Sequence, residues 1–290
     1  MIIDFHTHNF PSSLAPRAVA SMLERLNGLT VPVGDGTVET ELRDMARAGV
    51  DLCVNCPVAT KPDQFGAIFR RALAVRDGAE GERAAQHLFQ LGSVHPGDPD
   101  FAEHLRLLKA NGIPGIKLHP QYQGFRLLDH LPFFTAVRDA GLFVICHTGF
   151  DPGFPDCSDV PSPDKIAALL TAVPGLKFVA AHVGGHCGSP PHAVDQLLPF
   201  ENCWIDTAVM CFCDDDPEAR RIVREWPADR MVFGTDYFWR DEVKLMAWVK
   251  ALRPAPADQR LIFCENARRL LGFRSPLLGR SWRAGPCVRR

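Results

Sequence analysis

The sequence predicts an α/β fold: a single (β/α)8 barrel with a long loop and helix inserted after the first strand. Eight apolar runs of strand length recur along the chain, with starts spaced 26 to 50 residues apart. Each interval holds a loop, a crossover helix and a return loop. Runs such as LFVIC and LKFVAA are apolar without alternation, as expected of parallel strands covered on both faces. A doubly wound sheet fits less well, because no glycine-rich dinucleotide fingerprint follows any strand and no GK dipeptide marks a phosphate loop.

In chain order the predicted strands are IIDF from Ile2, LCVNC from Leu52, FQLGSV from Phe89, GIKL from Gly115, LFVIC from Leu142, LKFVAA from Leu176, CWIDTAV from Cys203 and MVFGT from Met231. Between them, Thr40 to Gly49, Asp100 to Gly112, Pro163 to Val173 and Asp216 to Trp226 show helical spacing of apolar residues behind acidic or proline starts. Two long loops stand out, Asn9 to about Val38 with its own helix, and Gly149 to Pro163; both would emerge at the strand C-terminal face. Residues 1–273 are expected to form the barrel and 274–290 a basic tail, with five arginines and no acid.

The chain has 290 residues, 32 Lys plus Arg and 34 Asp plus Glu, a balance that excludes a general polyanion-binding surface and makes nucleic acid an unexpected partner. MIIDFHTHNF lacks the basic and apolar regions of a signal peptide, and no apolar run approaches the roughly 18 residues of a membrane span, so a cytoplasmic location is expected. The ten cysteines read as buried reduced thiols. Cys53 with Cys56 forms a CxxC and Cys211 with Cys213 a CxC, but no second CxxC completes a four-thiolate zinc site.

His6 and His8 end the first strand, and the period of two places both imidazoles on one side of it. Alone an HxH is weak evidence for a metal. It gains weight from the other strand ends, which carry Lys117 in GIKLHP, His147 in CHTG, His182 in AHVGG and Asp236 in GTD. A closed barrel gathers those ends at one mouth, where the histidines and Asp236 are donors suited to zinc or a similar divalent ion. Near a metal Lys117 must be neutral, carbamylated or turned toward a substrate anion. His119, Gln121, Tyr122, Arg126 and Trp239 are candidates for substrate contact. Gly149, Gly184, Gly185 and Gly234 adjoin these positions, where the backbone must turn sharply or approach a ligand.

DFHTH, GIKLHP, CHTG, AHVGG and GTD, closed by CENARRLLGF, together resemble the amidohydrolase superfamily, especially the branch related to aminocarboxymuconate-semialdehyde decarboxylase. The resemblance spans about Met1 to Phe273. It implies a TIM-barrel enzyme holding one or two divalent ions per chain, zinc first with manganese or iron as alternatives. His6, His8, His147 and Asp236 match its metal-ligand positions, and His182 matches a histidine that binds a second metal or contacts substrate. Lys117 matches a position that is a bridging carbamylated lysine in binuclear members and no ligand in mononuclear ones.

The expected chemistry is hydrolysis of an amide, lactone or related cyclic bond in a small anionic or aromatic molecule. Asp236 would be the base acting on metal-bound water, and His182 would stabilise the oxyanion. The alternative is a metal-dependent non-oxidative decarboxylase; it is placed second because Lys117 sits where a bridging ligand for a hydrolytic metal pair would be placed, while no paired arginines mark a carboxylate clamp near the expected mouth. The reading outside enzymology is a barrel retained as a binding module. Assembly into a homo-oligomer is left open.

Overall fold

The computed structural model describes residues 1–208 and 215–273; the CxC and the basic tail lie outside them. All eight expected strands form, as β1 (Ile3–Thr7), β2 (Leu52–Asn55), β3 (Leu88–Gln90), β4 (Gly115–Leu118), β5 (Phe143–Cys146), β6 (Lys177–Ala180), β7 (Cys203–Asp206) and β8 (Met231–Val232). Every pairing is parallel and follows chain order, in one run β1-β2-β3 and another β4-β5-β6-β7-β8. Single bridges join the runs. Lys117 N–H donates to the Gly92 carbonyl at 2.9 Å, and at the other seam Phe5 N–H donates to Phe233 at 2.8 Å. The architecture is the TIM barrel that the strand spacing predicts.

Alternation along the strands divides the core into two layers. Ile3, Phe5, Val54, Phe143, Ile145, Val179 and Val232 fill the barrel interior, while Ile116, Leu118, Val144, Phe178 and Ile205 face outward to the helices. The interior apolar plug ends where the polar strand ends begin.

The loop after β1 carries α1 (Ala15–Leu26), whose Ala15 and Val19 are buried. It is followed by α2 (Val38–Ala48), where the Thr37 hydroxyl caps the N-terminus by accepting from Thr40 N–H. After β2 comes α3 (Phe65–Arg76). Helices Phe101–Ala110, Pro163–Ala172 and Pro217–Glu225 fall within the expected stretches, the last capped by the Asp216 carboxylate. Cys53 and Cys56 are buried free thiols, as expected. Among the described residues no helix is long and apolar enough to cross a membrane.

Candidate metal centre and pocket

His6 is fully buried and held from both ring nitrogens. Its Nδ1 lies 2.7 Å from Asp206 Oδ2, and its Nε2 lies 2.7 Å from Lys117 Nζ and 3.5 Å from Asp236 Oδ1. His8 Nε2 meets the same Asp236 oxygen at 3.0 Å. One donor atom from each of His6, His8 and Asp236 therefore falls within 4.8 Å of the others, a spacing that a single ion can span. The pairing of β1 with β2 shifts register between Asp4 and Thr7, at the point where His6 leaves the strand for the mouth.

Burial and the nearby Lys117 ammonium hold the His6 imidazole well below the usual histidine range, so it is neutral and suited to bind a metal. Burial alone would raise Asp236, but the His8 hydrogen bond and the charges of His182, His8 and Lys117 outweigh it and keep the carboxylate ionised. Asp236 occupies the left-handed region, at φ 60°. Its turn is tied down by Asp4, which accepts from Thr235 N–H at 3.0 Å and from the Thr235 hydroxyl at 2.5 Å.

His182 is also left-handed, at φ 59°, followed by Val183 and Gly184 in the same region. Its backbone N–H donates to Asp206 Oδ1 at 2.8 Å and its Nδ1 to the Ala208 carbonyl at 3.0 Å. Its ring lies 5.3 Å from that of His6 and 4.3 Å from that of His147.

The His147 side chain groups differently from the expectation. Its donor atom falls within 4.8 Å of those of His119 and Asp151 instead of joining the His6 cluster, and its ring stacks on His119 at 4.0 Å. Its Nε2 is buried without a hydrogen-bond partner, an orphaned donor atom of the kind that a bound ion satisfies. His119 Nε2 lies 3.2 Å from Asp151 Oδ2.

A cavity of about 720 Å³ opens over these groups, lined by His8, Lys117, His119, His147, His182 and Asp236. Tyr122 and Trp239 also line it, as expected of substrate contacts. Gln121 and Arg126 do not. Gln121 Nε2 turns to the Gly149 carbonyl at 3.4 Å, and Arg126, largely exposed, pairs with Asp159 at 3.2 Å. The loop after β4 folds as a short helix at Pro120–Gln123, which holds Gln121, with Arg126 beyond its end. Burial pushes the Cys56 thiol, also on the cavity wall, up to about 12, which leaves it protonated and a poor nucleophile.

Several residues of the site escape a reading of the sequence alone. Asp206 and Asp151 are acids near strand ends, where turns also favour Asp. Arg70, Arg71 and Arg240 line the cavity, contrary to the expectation of no paired arginines near the mouth. Arg70 and Arg71 sit on a helix, where basic residues usually mark a solvated face. Arg71 also donates to the Asn9 carbonyl at 3.0 Å and to Asn9 Oδ1 at 2.6 Å, steadying the residue next to His8.

The sequence profile described as amidohydrolase matches residues 3–273. This chain belongs to the amidohydrolase family. As an amidohydrolase, it shares its fold with a TIM-barrel protein of Bordetella bronchiseptica at 19% identity, with a TM-score of 0.66 over 93% of this chain and 98% of that one. It is also similar to the 2,6-dihydroxybenzoate decarboxylase of Rhizobium, at 18% identity and a TM-score of 0.60 over 93% and 98% of the two chains. A third similar structure is a 5-carboxyvanillate decarboxylase of Novosphingobium aromaticivorans with bound manganese, at 13% identity and a TM-score of 0.64 over 94% and 97%. No curated protein matches this amidohydrolase significantly.

Proposed function

We propose that this amidohydrolase is a metal-dependent, non-oxidative decarboxylase of a small carboxylic acid. The observation that carries the reading is the cavity wall, where Arg70 and Lys117 share a largely apolar lining with His8 and Asp236, while Arg71 is held by Glu80 at 2.9 Å. Cationic groups in an apolar setting favour an anionic substrate. The expectation of hydrolysis rests partly on a lack of paired arginines near the mouth, and Arg70 on the cavity wall weakens that ground. The decarboxylases of similar fold support the same direction.

His6, His8 and Asp236 would hold the ion, with the orphaned His147 Nε2 as the fourth expected ligand. Nitrogen and carboxylate donors suit zinc, manganese or iron. Bound there, a divalent ion would supply a Lewis acid for the carboxylate and a neighbouring oxygen of the substrate. In the reaction the bond from carbon to carboxylate breaks, its electron pair stays on the carbon, carbon dioxide leaves and a proton takes its place. His182 would deliver that proton from Nε2, its Nδ1 being held by the Ala208 carbonyl. Asp236, kept ionised, stays a ligand and orients His8. The apolar wall excludes water and favours loss of a charged carboxylate as neutral carbon dioxide.

Hydrolysis remains the second reading because of one contact. Lys117 Nζ lies 2.7 Å from His6 Nε2, where a carbamylated lysine could bridge two ions. The test is a panel of hydroxybenzoates, muconate-type acids, lactones and cyclic amides given to the metal-replete protein in oxygen-18 water. Decarboxylation yields carbon dioxide equal to the acid consumed, with no label in the organic product. Label in a ring-opened product without carbon dioxide would replace it with hydrolysis.

A further inference from the structure

We infer that the acid taken by this site is amphiphilic, a carboxylate head joined to an extended apolar body that lies between α1 and α3. The inference rests on the reading of the pocket as a metal-dependent acid site. The cavity of about 720 Å³ falls within the range of about 300–1,000 Å³ that takes drug-sized ligands, so a single-ring acid does not set its upper limit.

Beyond the strand ends the cavity is bounded largely by apolar side chains in a regular pattern. Leu14, Ala18, Met22 and Leu26 recur every four residues along α1, which puts them on one helix face, and all four line the cavity. The adjoining face is already used by the core, where Val19 packs with Tyr237 and Phe238. Met22 packs partly on that cluster too, while Leu14, Ala18 and Leu26 line the cavity outside it. Ala18, Met22 and Leu26 are only half-buried, and Leu14 is exposed. Across the cavity α3 presents Ala67, Ile68 and Ala74, two of them small enough to leave width between the helices. The metal-binding groups gather at the strand termini, and on α3 Arg70 and Arg71 stand among these apolar residues. One continuous space therefore runs from the metal-binding head site into a mostly apolar channel, which favours an apolar body over a wholly polar one.

The experiment is calorimetric titration of the manganese-loaded protein with 2-hydroxybenzoate and its 4-n-alkyl derivatives up to octyl. Each methylene should tighten binding about three- to fourfold until the channel is full, so that the hexyl compound binds at least about a hundredfold tighter than the parent. Ala18→Phe, which fills the channel from a half-buried position, should cut that ratio below about tenfold, and Leu26→Gln should reduce it also. A ratio within about threefold, with manganese-dependent binding of the parent intact, overturns this inference alone. So does a full ratio retained in both variants. Absence of manganese-dependent binding by every member overturns the decarboxylase reading and this inference with it.

Discussion

His6 Nδ1 and Asp206 Oδ2 stand 2.7 Å apart between two side chains with no exposure to solvent. The carboxylate accepts the Nδ1 proton and so leaves Nε2 as the lone-pair nitrogen, facing Asp236 and Lys117. Asp206 fixes more than one group, because its other oxygen receives the backbone N–H groups of His182 and Ala208. One acid at the end of β7 thereby sets the tautomer of a metal-binding histidine and the backbone of the proposed proton donor.

Asp206→Asn should expose that role. The amide oxygen can keep the bonds from His182 and Ala208, but its NH2 group opposes the His6 Nδ1 proton and drives it to Nε2. Metal affinity should fall about 10- to 100-fold, as measured by competition with a chromophoric chelator, with the fold preserved by circular dichroism. An unchanged affinity would mean that Asp206 serves packing alone.

Gly234 is needed for space. A Cβ there would lie 2.8 Å from the Cβ of His6, and neither backbone has a flexible side-chain end to move aside. Gly234→Ala should cost about 1–3 kcal/mol in denaturant unfolding and lower metal occupancy by displacing His6. Retention of both properties would show that β8 can retreat from β1.

Stability should depend on Glu242, a fully buried acid on the first turn of the helix Glu242–Leu252. Burial, with the nearby acids Asp44 and Glu41, raises its carboxyl from 4.5 to about 7. An acid whose folded pKa is raised binds its proton more tightly in the folded state. Its contribution is therefore fully present below about 4.5 and is lost as pH rises toward about 7. Glu242→Gln should leave stability nearly unchanged at pH 4 and raise it by about 2–3 kcal/mol at pH 8. Urea unfolding at the two pH values checks this, and an equal effect at both would contradict it.

Asn9 joins the metal loop to the helices around it. Its Nδ2 donates to Glu41 at 2.5 Å, its Oδ1 accepts from Arg71 at 2.6 Å, and its backbone N–H donates to Asn55 Oδ1 at 2.9 Å. Asn9→Ala leaves a buried carboxylate and a guanidinium short of a partner and should cost about 1–3 kcal/mol in denaturant unfolding. A cost below about 0.5 kcal/mol would show that these groups find water instead.

The barrel was legible because its strands are short apolar runs bounded by helical patterns, and that pairing of signals survives without tertiary information. The expected run MVFGT shortened to Met231–Val232 because the backbone turns at Gly234 and Thr235, where Thr207 receives the Gly234 N–H and Asp4 the Thr235 N–H. His6, His8, Lys117, His147, His182 and Asp236 were legible as polar residues at strand ends, where a parallel barrel gathers them. Asp206 was not, since WIDT reads equally as a strand running into a turn. Arg71 was hidden for another reason, for its contact with Asn9 joins residues 62 positions apart and leaves no local pattern. The loop after β4 was placed correctly, yet the placement of Gln121 and Arg126 off the cavity depends on packing that spacing does not encode.

The central claim is that His6, His8 and Asp236 hold one divalent ion at the head of the cavity. Crystals grown with manganese and measured at the manganese absorption edge test it directly. One strong anomalous peak is expected about 2.0–2.3 Å from His6 Nε2, His8 Nε2 and an Asp236 oxygen, with His147 Nε2 turned to complete the set. A peak confined to His119, His147 and Asp151, or no peak at either cluster, would contradict it.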